Sequence, residues 1–332
     1  MKKTLTLLIT TAIAGVLGFG QAAAEERYRF GSGPTGGAWP VAIGPAVQLL
    51  NEKLQGKYNF QNSPSQGSVE NVRQVSLGDV GTAWGHIIQV SSAWNGLPPY
   101  EDIGKQRGFR VVGNVQGNSQ IVAVLADSPI KSFSDMEGKV VSLLPRGSGA
   151  SANCVNVFTA LGLFPGKIEA RFLGYASSTR ALTDRQIDVF CSGGTPFTHP
   201  AITEVSVSKP VRYISMTEAE QRKVMEKYRF YTPFTIPIQK EVRGMDAPAR
   251  TIGYGVWWIA GKGMSDDAVY NMLKIIADPA SLQSLAKAGP YWKELSGDFQ
   301  PLKELGIFVH PAAARYWKER GANVPTEIVK GF

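Results

Sequence analysis

From Tyr28 onward the chain alternates short apolar runs with stretches whose apolar positions recur at helical spacing. That is the pattern of an α/β protein with a mostly parallel sheet. Residues 28–31, 58–61 and 80–84 are the first predicted strands, with helices near 39–54 and 68–77, the second capped by Ser68. Segments 109–115 and 120–126 read as two further strands. Past Asp127-Ser128-Pro129 the rhythm repeats: strand 139–143, a loop, a helix to 161, strand 170–174, helix 179–186 and strand 187–191. Thr217-Glu218-Ala219-Glu220 is a capping box opening a helix to about 229. A long strand at 251–260 follows, and Ser265 with Asp266 and Asp267 starts a helix whose Val269, Met272, Leu273 and Ile276 form one apolar stripe. The layout predicts two α/β domains: residues 25–118 with 216–332, and an inserted domain at 119–215. Strands 120–126 and 251–258 would be the crossovers or hinges.

Composition narrows the class. The 332 residues are 43% hydrophobic and 19% charged, and the 36 Gly and 20 Pro are spread along the chain, which excludes a fibre or a low-complexity tail. Residues 1–24 read as an export signal, with Lys2 and Lys3, an apolar stretch from Leu5 to Phe19, and cleavage after Ala24. An uncleaved anchor fits less well, because the stretch is short and contains Thr6, Thr10 and Thr11. The formal charge is +8 with basic residues scattered rather than blocked, a mild positive field suited to a small anion and not to nucleic acid. Cys154 and Cys191 can be bridged or free in an oxidising compartment. With His86, His199 and His310 isolated from one another, no metal-ligand spacing can be drawn, and neither metal nor cofactor is expected.

Two glycine-rich loops carry the candidate chemistry. Gly31-Ser32-Gly33-Pro34-Thr35-Gly36-Gly37 matches GxGxxG, but the second strand ends in Gln61-Asn62-Ser63 without the acidic residue that would hold a ribose, and no GK[ST] follows. What survives is a backbone able to approach a ligand and free N–H groups at a helix start, which favour an anion. Arg146-Gly147-Ser148-Gly149-Ala150-Ser151 occupies the equivalent place in the second domain and adds a cation suited to carboxylate. Either loop alone could be a tight turn; the pair implies a ligand cleft. None of Ser32, Ser148 and Ser192 sits in GxSxG, so no hydrolase triad can be drawn. Trp39 and Trp84 follow loop positions that should face the cleft, whereas Trp257 and Trp258 alternate across a strand.

In order along the chain, Gly31-Ser32-Gly33 through Gly37-Ala38-Trp39-Pro40, Gln66-Gly67-Ser68-Val69-Glu70-Asn71, Gly147-Ser148-Gly149, Ala181-Leu182 to Ile187-Asp188, and His310 to Glu319 resemble the TAXI-type solute receptors of TRAP transporters. The resemblance covers essentially the whole chain after residue 24. It implies a type II periplasmic-binding-protein fold, a small organic anion as ligand, TRAP permease subunits as partners, a monomer, and no catalysis. Two departures fall where the ligand would sit: Ala38-Trp39 replaces a tyrosine-rich run, and Trp84-Gly85-His86 replaces a Gln-Ser-Asp-like segment. Tryptophan for tyrosine removes a hydroxyl and adds ring area, which suits a more apolar or aromatic acid. The expected site comprises Ser32, Gly33, Thr35, Gly37, Trp39, Gly67, Ser68, Trp84 and His86 from the first domain, and Arg146, Gly147, Ser148, Gly149, Ser151, Gly194 and Thr195 from the second. An ABC-type receptor or a secreted enzyme on the same fold are the alternatives.

Overall fold

A computed structural model describes residues 25–194 and 199–332; the expected signal segment and Thr195 lie outside the described residues. Strand β1 (Glu26–Gly33) leads into α1 (Ala38–Lys53), which buries Ala42, Ile43, Ala46, Val47 and Leu50 along one face. Next come β2 (Tyr58–Pro64), α2 (Ser68–Leu77), β3 (Thr82–His86) and α3 (Ile87–Asn95). Helices α2 and α3 each stop at a left-handed glycine, Gly78 and Gly96, whose N–H caps carbonyls of the last turn.

Segments 109–115 and 120–126 are one strand, β4 (Phe109–Leu125), not two. Its continuity comes from its partners. Residues up to Ser119 pair with the late strand β10, and from Ser119 onward the strand pairs with β7, so the ladder changes neighbour without interruption. Beyond it lie β5 (Val140–Ser142), α4 (Gly149–Ala160), β6 (Glu169–Arg171), α5 (Tyr175–Thr183), β7 (Val189–Gly194) and α6 (Pro200–Ser208). Then follow β8 (Val211–Tyr213), α7 (Glu218–Lys227), β9 (Thr232–Ile236) and β10 (Ala249–Gly261). The C-terminal helices are α8 (Asp266–Ile276), α9 (Pro279–Ala288), α10 (Gln300–Leu305) and α11 (Pro311–Glu319).

The sheet runs β2-β1-β3-β10-β4-β7-β5-β6, with β8 added to β4 and β9 to β10. Strands β1, β2 and β3 are parallel, as are β7, β5 and β6; β10 runs antiparallel to β3 and β4. The two long strands thus join two parallel α/β units. Trp258 stacks on Phe30 and Trp257 on Phe299, one indole on each face of β10. A separate apolar cluster gathers Ile121, Phe190, Ile202, Val242 and Met245.

Val242, Met245 and Ala249 share the Phe190 cluster and the Tyr231 hydroxyl bonds Asn153 of α4, while Met216, Val224 and Tyr231 lie in the main apolar cluster. The capping box is formed, Thr217 and Glu220 each satisfying the other's backbone N–H, but local capping does not say which unit a helix covers. Cys154 and Cys191 are bridged, tying α4 to β7, and Gln120 Nε2 lies 3.1 Å from both sulfurs.

Candidate functional site

Beyond the C-terminal ends of the parallel strands the chain turns into helices, and their first residues meet around a half-open cavity of about 40 Å³. Gly37 and Ala38 open α1, Gly67 and Ser68 open α2, and His86 caps α3. From the other unit come Ser148 and Gly149 at α4, Tyr175 at α5 and His199 at α6. Six helix N-termini therefore line or border the same space. Glycine N-caps leave α1 and α2 without side-chain acceptors, so their first-turn N–H groups keep their partial positive charge for a ligand.

Asn71 holds the loop ends in place. Its amide donates to the carbonyls of Trp84 (2.9 Å) and Gly31 (3.4 Å) and accepts from Ser65 Oγ (2.6 Å), which in turn accepts from Gly67 N (3.0 Å). Gly67, at φ 112°, is the cap of α2, so Ser68 is not the capping residue expected from sequence. Ser68 Oγ instead accepts the His86 N–H at 2.8 Å and approaches Gln89 Oε1 at 3.4 Å, joining the starts of α2 and α3.

His86 lies between the units. Its Nδ1 is 3.3 Å from Asn153 Nδ2 on α4, and its Nε2 is 3.1 Å from Asn118 Nδ2 on β4. Burial lowers its pKa to about 3, so the ring is neutral and offers one acceptor nitrogen and one N–H. Asn156 donates to the Tyr231 hydroxyl, whose proton goes to Asn153 Oδ1, which leaves the Asn153 amide N–H for Nδ1. Gln89 also hydrogen-bonds the His86 ring, and Asn118 Oδ1 is buried without a hydrogen-bond partner. His199 stacks on Tyr175 (centroids 4.9 Å) and is lowered to about 4 by burial, while burial raises Tyr175 to about 12. Among the described residues, no Asp, Glu, Lys or Arg lines the cavity.

Of the expected site residues, Gly37, Trp39, Gly67, Ser68, His86, Ser148 and Gly149 meet at this cavity. The others fall elsewhere. Trp84 is fully buried behind the wall against Trp39, Tyr291 and Trp292, because its strand position points into the core. Ser32 is equally enclosed, its hydroxyl bonded to the Ser63 carbonyl. Gly33 backs the Trp39 ring, and Thr35 is exposed. Arg146 turns away from the cavity: its guanidinium sits 3.7 Å over the Phe172 ring, and with Gly147 and Ser151 it borders a separate groove. Gly194 ends β7 against Ile121 while its neighbour Gly193 reaches the cavity. Sequence reasoning missed Pro34, Gln66, Asn118, Tyr175, Gly193, His199 and Tyr291. His199-Pro200, a cap followed by proline at the first helical position, was the one readable cue among them.

A model of the NMT1-like family matches residues 30–321. In fold the chain is similar to the binding component of an ABC phosphonate transporter from Pseudomonas aeruginosa, with 11% identity, 92% of each chain covered and a TM-score of 0.51. It is also similar to the aliphatic sulphonate binding protein of Escherichia coli, with 14% identity, 92% of this chain and 96% of that one covered, and a TM-score of 0.47. The alkanesulfonate-binding protein of Xanthomonas axonopodis pv. citri shows 13% identity, coverage of 92% and 96%, and a TM-score of 0.49. At such identities the likeness speaks to fold alone. The architecture is the type II periplasmic-binding-protein one, as expected from sequence.

Proposed function

The chain belongs to the NMT1-like family, and we propose that it is an exported receptor that captures a small organic anion between two lobes and hands it unchanged to a membrane permease. The observation that carries this reading is a half-open cavity on which six helices begin and which, among the described residues, no charged side chain lines. Such a site attracts an anion through backbone N–H groups and helix dipoles. The first lobe comprises residues 25–118 with about 250–332, the second about 119–249, and closure takes place about β4 and β10. Residues 1–24 direct export and are removed after Ala24. The receptor acts as a monomer and performs no chemistry on its ligand.

A thermal-shift screen of the mature protein against carboxylates, sulfonates and aromatic acids tests the reading, with each hit recovered and weighed by mass spectrometry. A saturable rise in melting temperature with an unaltered hit supports a receptor; a chemically altered hit makes the protein an enzyme. For the permease, the ordered glycine-loop motifs favour a TRAP system, whereas the structure with the TM-score of 0.51 is an ABC component and favours that alternative. Solute uptake that requires ATP hydrolysis would decide for the ABC type.

A further inference from the structure

We infer that Asn118 sets specificity in this site, its Oδ1 accepting a hydrogen bond from an O–H or N–H group of the solute. The inference deepens the receptor reading and rests on it: the solute is not a plain acid but carries a hydrogen-bond donor as well as its anionic group.

Among the described residues, six buried side-chain polar atoms have no hydrogen-bond partner. Five of them, on Asn62, Gln74, Trp84, Gln120 and Tyr316, belong to residues that do not line the cavity; the sixth, Asn118 Oδ1, belongs to one that does. The residue is only 6% exposed. A buried acceptor without a donor has given up its bond to water for nothing, a cost that a fold tolerates where function supplies the missing partner.

The donors around Asn118 are committed elsewhere. The Tyr254 hydroxyl donates to the Ser119 carbonyl at 3.3 Å, the Tyr231 hydroxyl to Asn153 Oδ1 at 3.1 Å, and Ser119 Oγ to the Gly194 carbonyl at 3.1 Å. At the other end of the Asn118 amide, Nδ2 meets His86 Nε2 at 3.1 Å, which places Oδ1 at the end away from the ring. The backbone is fixed too, because Asn118 pairs with Tyr254 where β4 and β10 join the two units. The acceptor is thus built on the junction itself, held by a ladder before any solute arrives.

The chemistry that satisfies Oδ1 is narrow. A carboxylate, a sulfonate or a keto group offers only further acceptors, whereas a hydroxyl, an amide N–H or an ammonium offers the donor. A site with a buried group waiting for a donor rejects the analogue that lacks it, since binding then seals the acceptor away unpaired.

The test is isothermal titration of the intact mature protein with acids matched in size. Lactate and alanine carry a donor, propionate none, and pyruvate an acceptor in the same place; isethionate is set against ethanesulfonate, and mandelate against phenylacetate. At least one donor-bearing probe should bind saturably and at least about tenfold more tightly than its donor-free counterpart. Lactate against alanine separates a hydroxyl from an ammonium as the source of the donor. In Asn118→Leu, which keeps the bulk and removes the acceptor, the ratio should fall to within about twofold. Asn118→Ala makes the same comparison should the leucine variant fail to give a cooperative melt. A side chain that served the fold alone would weaken both members of a pair alike and preserve the ratio. Equal binding of the members in the wild type, as a water at Oδ1 would give, overturns the inference while leaving a receptor in place. So does pyruvate binding more tightly than lactate, or a ratio that survives in both variants. Failure of every donor-bearing probe to bind overturns it too. Conversion of a bound probe would instead sink the receptor reading.

Discussion

Replacing Gly149 by alanine tests whether contact between the two units gates the cavity. Gly149 is not in the left-handed region, so its backbone accepts alanine without torsional strain. The obstacle lies across the junction. A Cβ there would stand 2.4 Å from Ser68 Cβ, 2.7 Å from His86 Nδ1 and 3.2 Å from Gln89 Oε1. Each of the three is held: Ser68 Oγ accepts the His86 N–H at 2.8 Å, the imidazole meets Asn153 at 3.3 Å, and Gln89 Oε1 accepts from Ser68 Oγ at 3.4 Å. Carbon atoms pack at roughly 3.5–4.0 Å, so the start of α4 must withdraw from α2 by more than about 1 Å.

Overpacking of this kind costs about 1–3 kcal/mol. If the lobes close on the solute, that cost falls on the closed form alone, because opening relieves the clash. Affinity should then weaken by about 5- to 150-fold, while the melting temperature of the unliganded protein moves by no more than about 2 °C. Isothermal titration with whichever solute stabilises the wild type measures the first quantity and scanning calorimetry the second. Gly263→Ala, where a Cβ meets nothing within 4 Å, is the control. Unchanged affinity would refute the gating argument. So would a fall in unliganded stability as large as the loss of binding energy, since the clash would then be present in both forms.

Three further outcomes follow from the same geometry. Arg146→Ala should leave affinity within about twofold, because the guanidinium stacks on Phe172 outside the cavity; a tenfold loss in titration would return Arg146 to the site. Acid should destabilise the fold before any carboxylate is protonated. Burial lowers His86 to about 3 and His199 and His310 to about 4, whereas in the unfolded chain each titrates near 6.5. Their contribution is therefore complete above pH 6.5 and is lost as pH falls toward 4, at up to about 1.4 kcal/mol per pH unit for each ring. Urea midpoints that stay level from pH 6.5 to 4.5 would contradict this, and His310→Gln should flatten the slope. Replacing both Cys154 and Cys191 by serine opens a bridge across a separation of 37 residues and should lower unfolding free energy by about 4 kcal/mol, measured in urea. An unchanged midpoint would show the bridge absent or without effect.

How far the sequence was readable depends on whether a feature is set locally. The α2 span, the Thr217 capping box and the Val269–Ile276 stripe are determined within one or two turns, and each is found where the pattern puts it. Gly117-Asn118-Ser119 looks like a break, yet β4 runs through it because β10 and β7 supply partners 75 to 136 residues away. The contacts of Val242 and Met245 in the Phe190 cluster, and of Tyr231 with Asn153, are encoded by no local signal. The same division holds at the cavity. Gly37, Gly67 and Gly149 mark places where a strand turns into a helix, a backbone property that a glycine-rich loop displays in sequence. Arg146 and Trp84 carry side chains suited to a ligand, but side-chain direction follows from the surrounding fold: one turns out over Phe172, the other in under Trp39. Tyr175, His199 and Tyr291, which complete the wall, come from three distant segments. Sequence thus shows where helices start around the cavity, whereas the aromatic rings that complete its wall are assembled only by the fold.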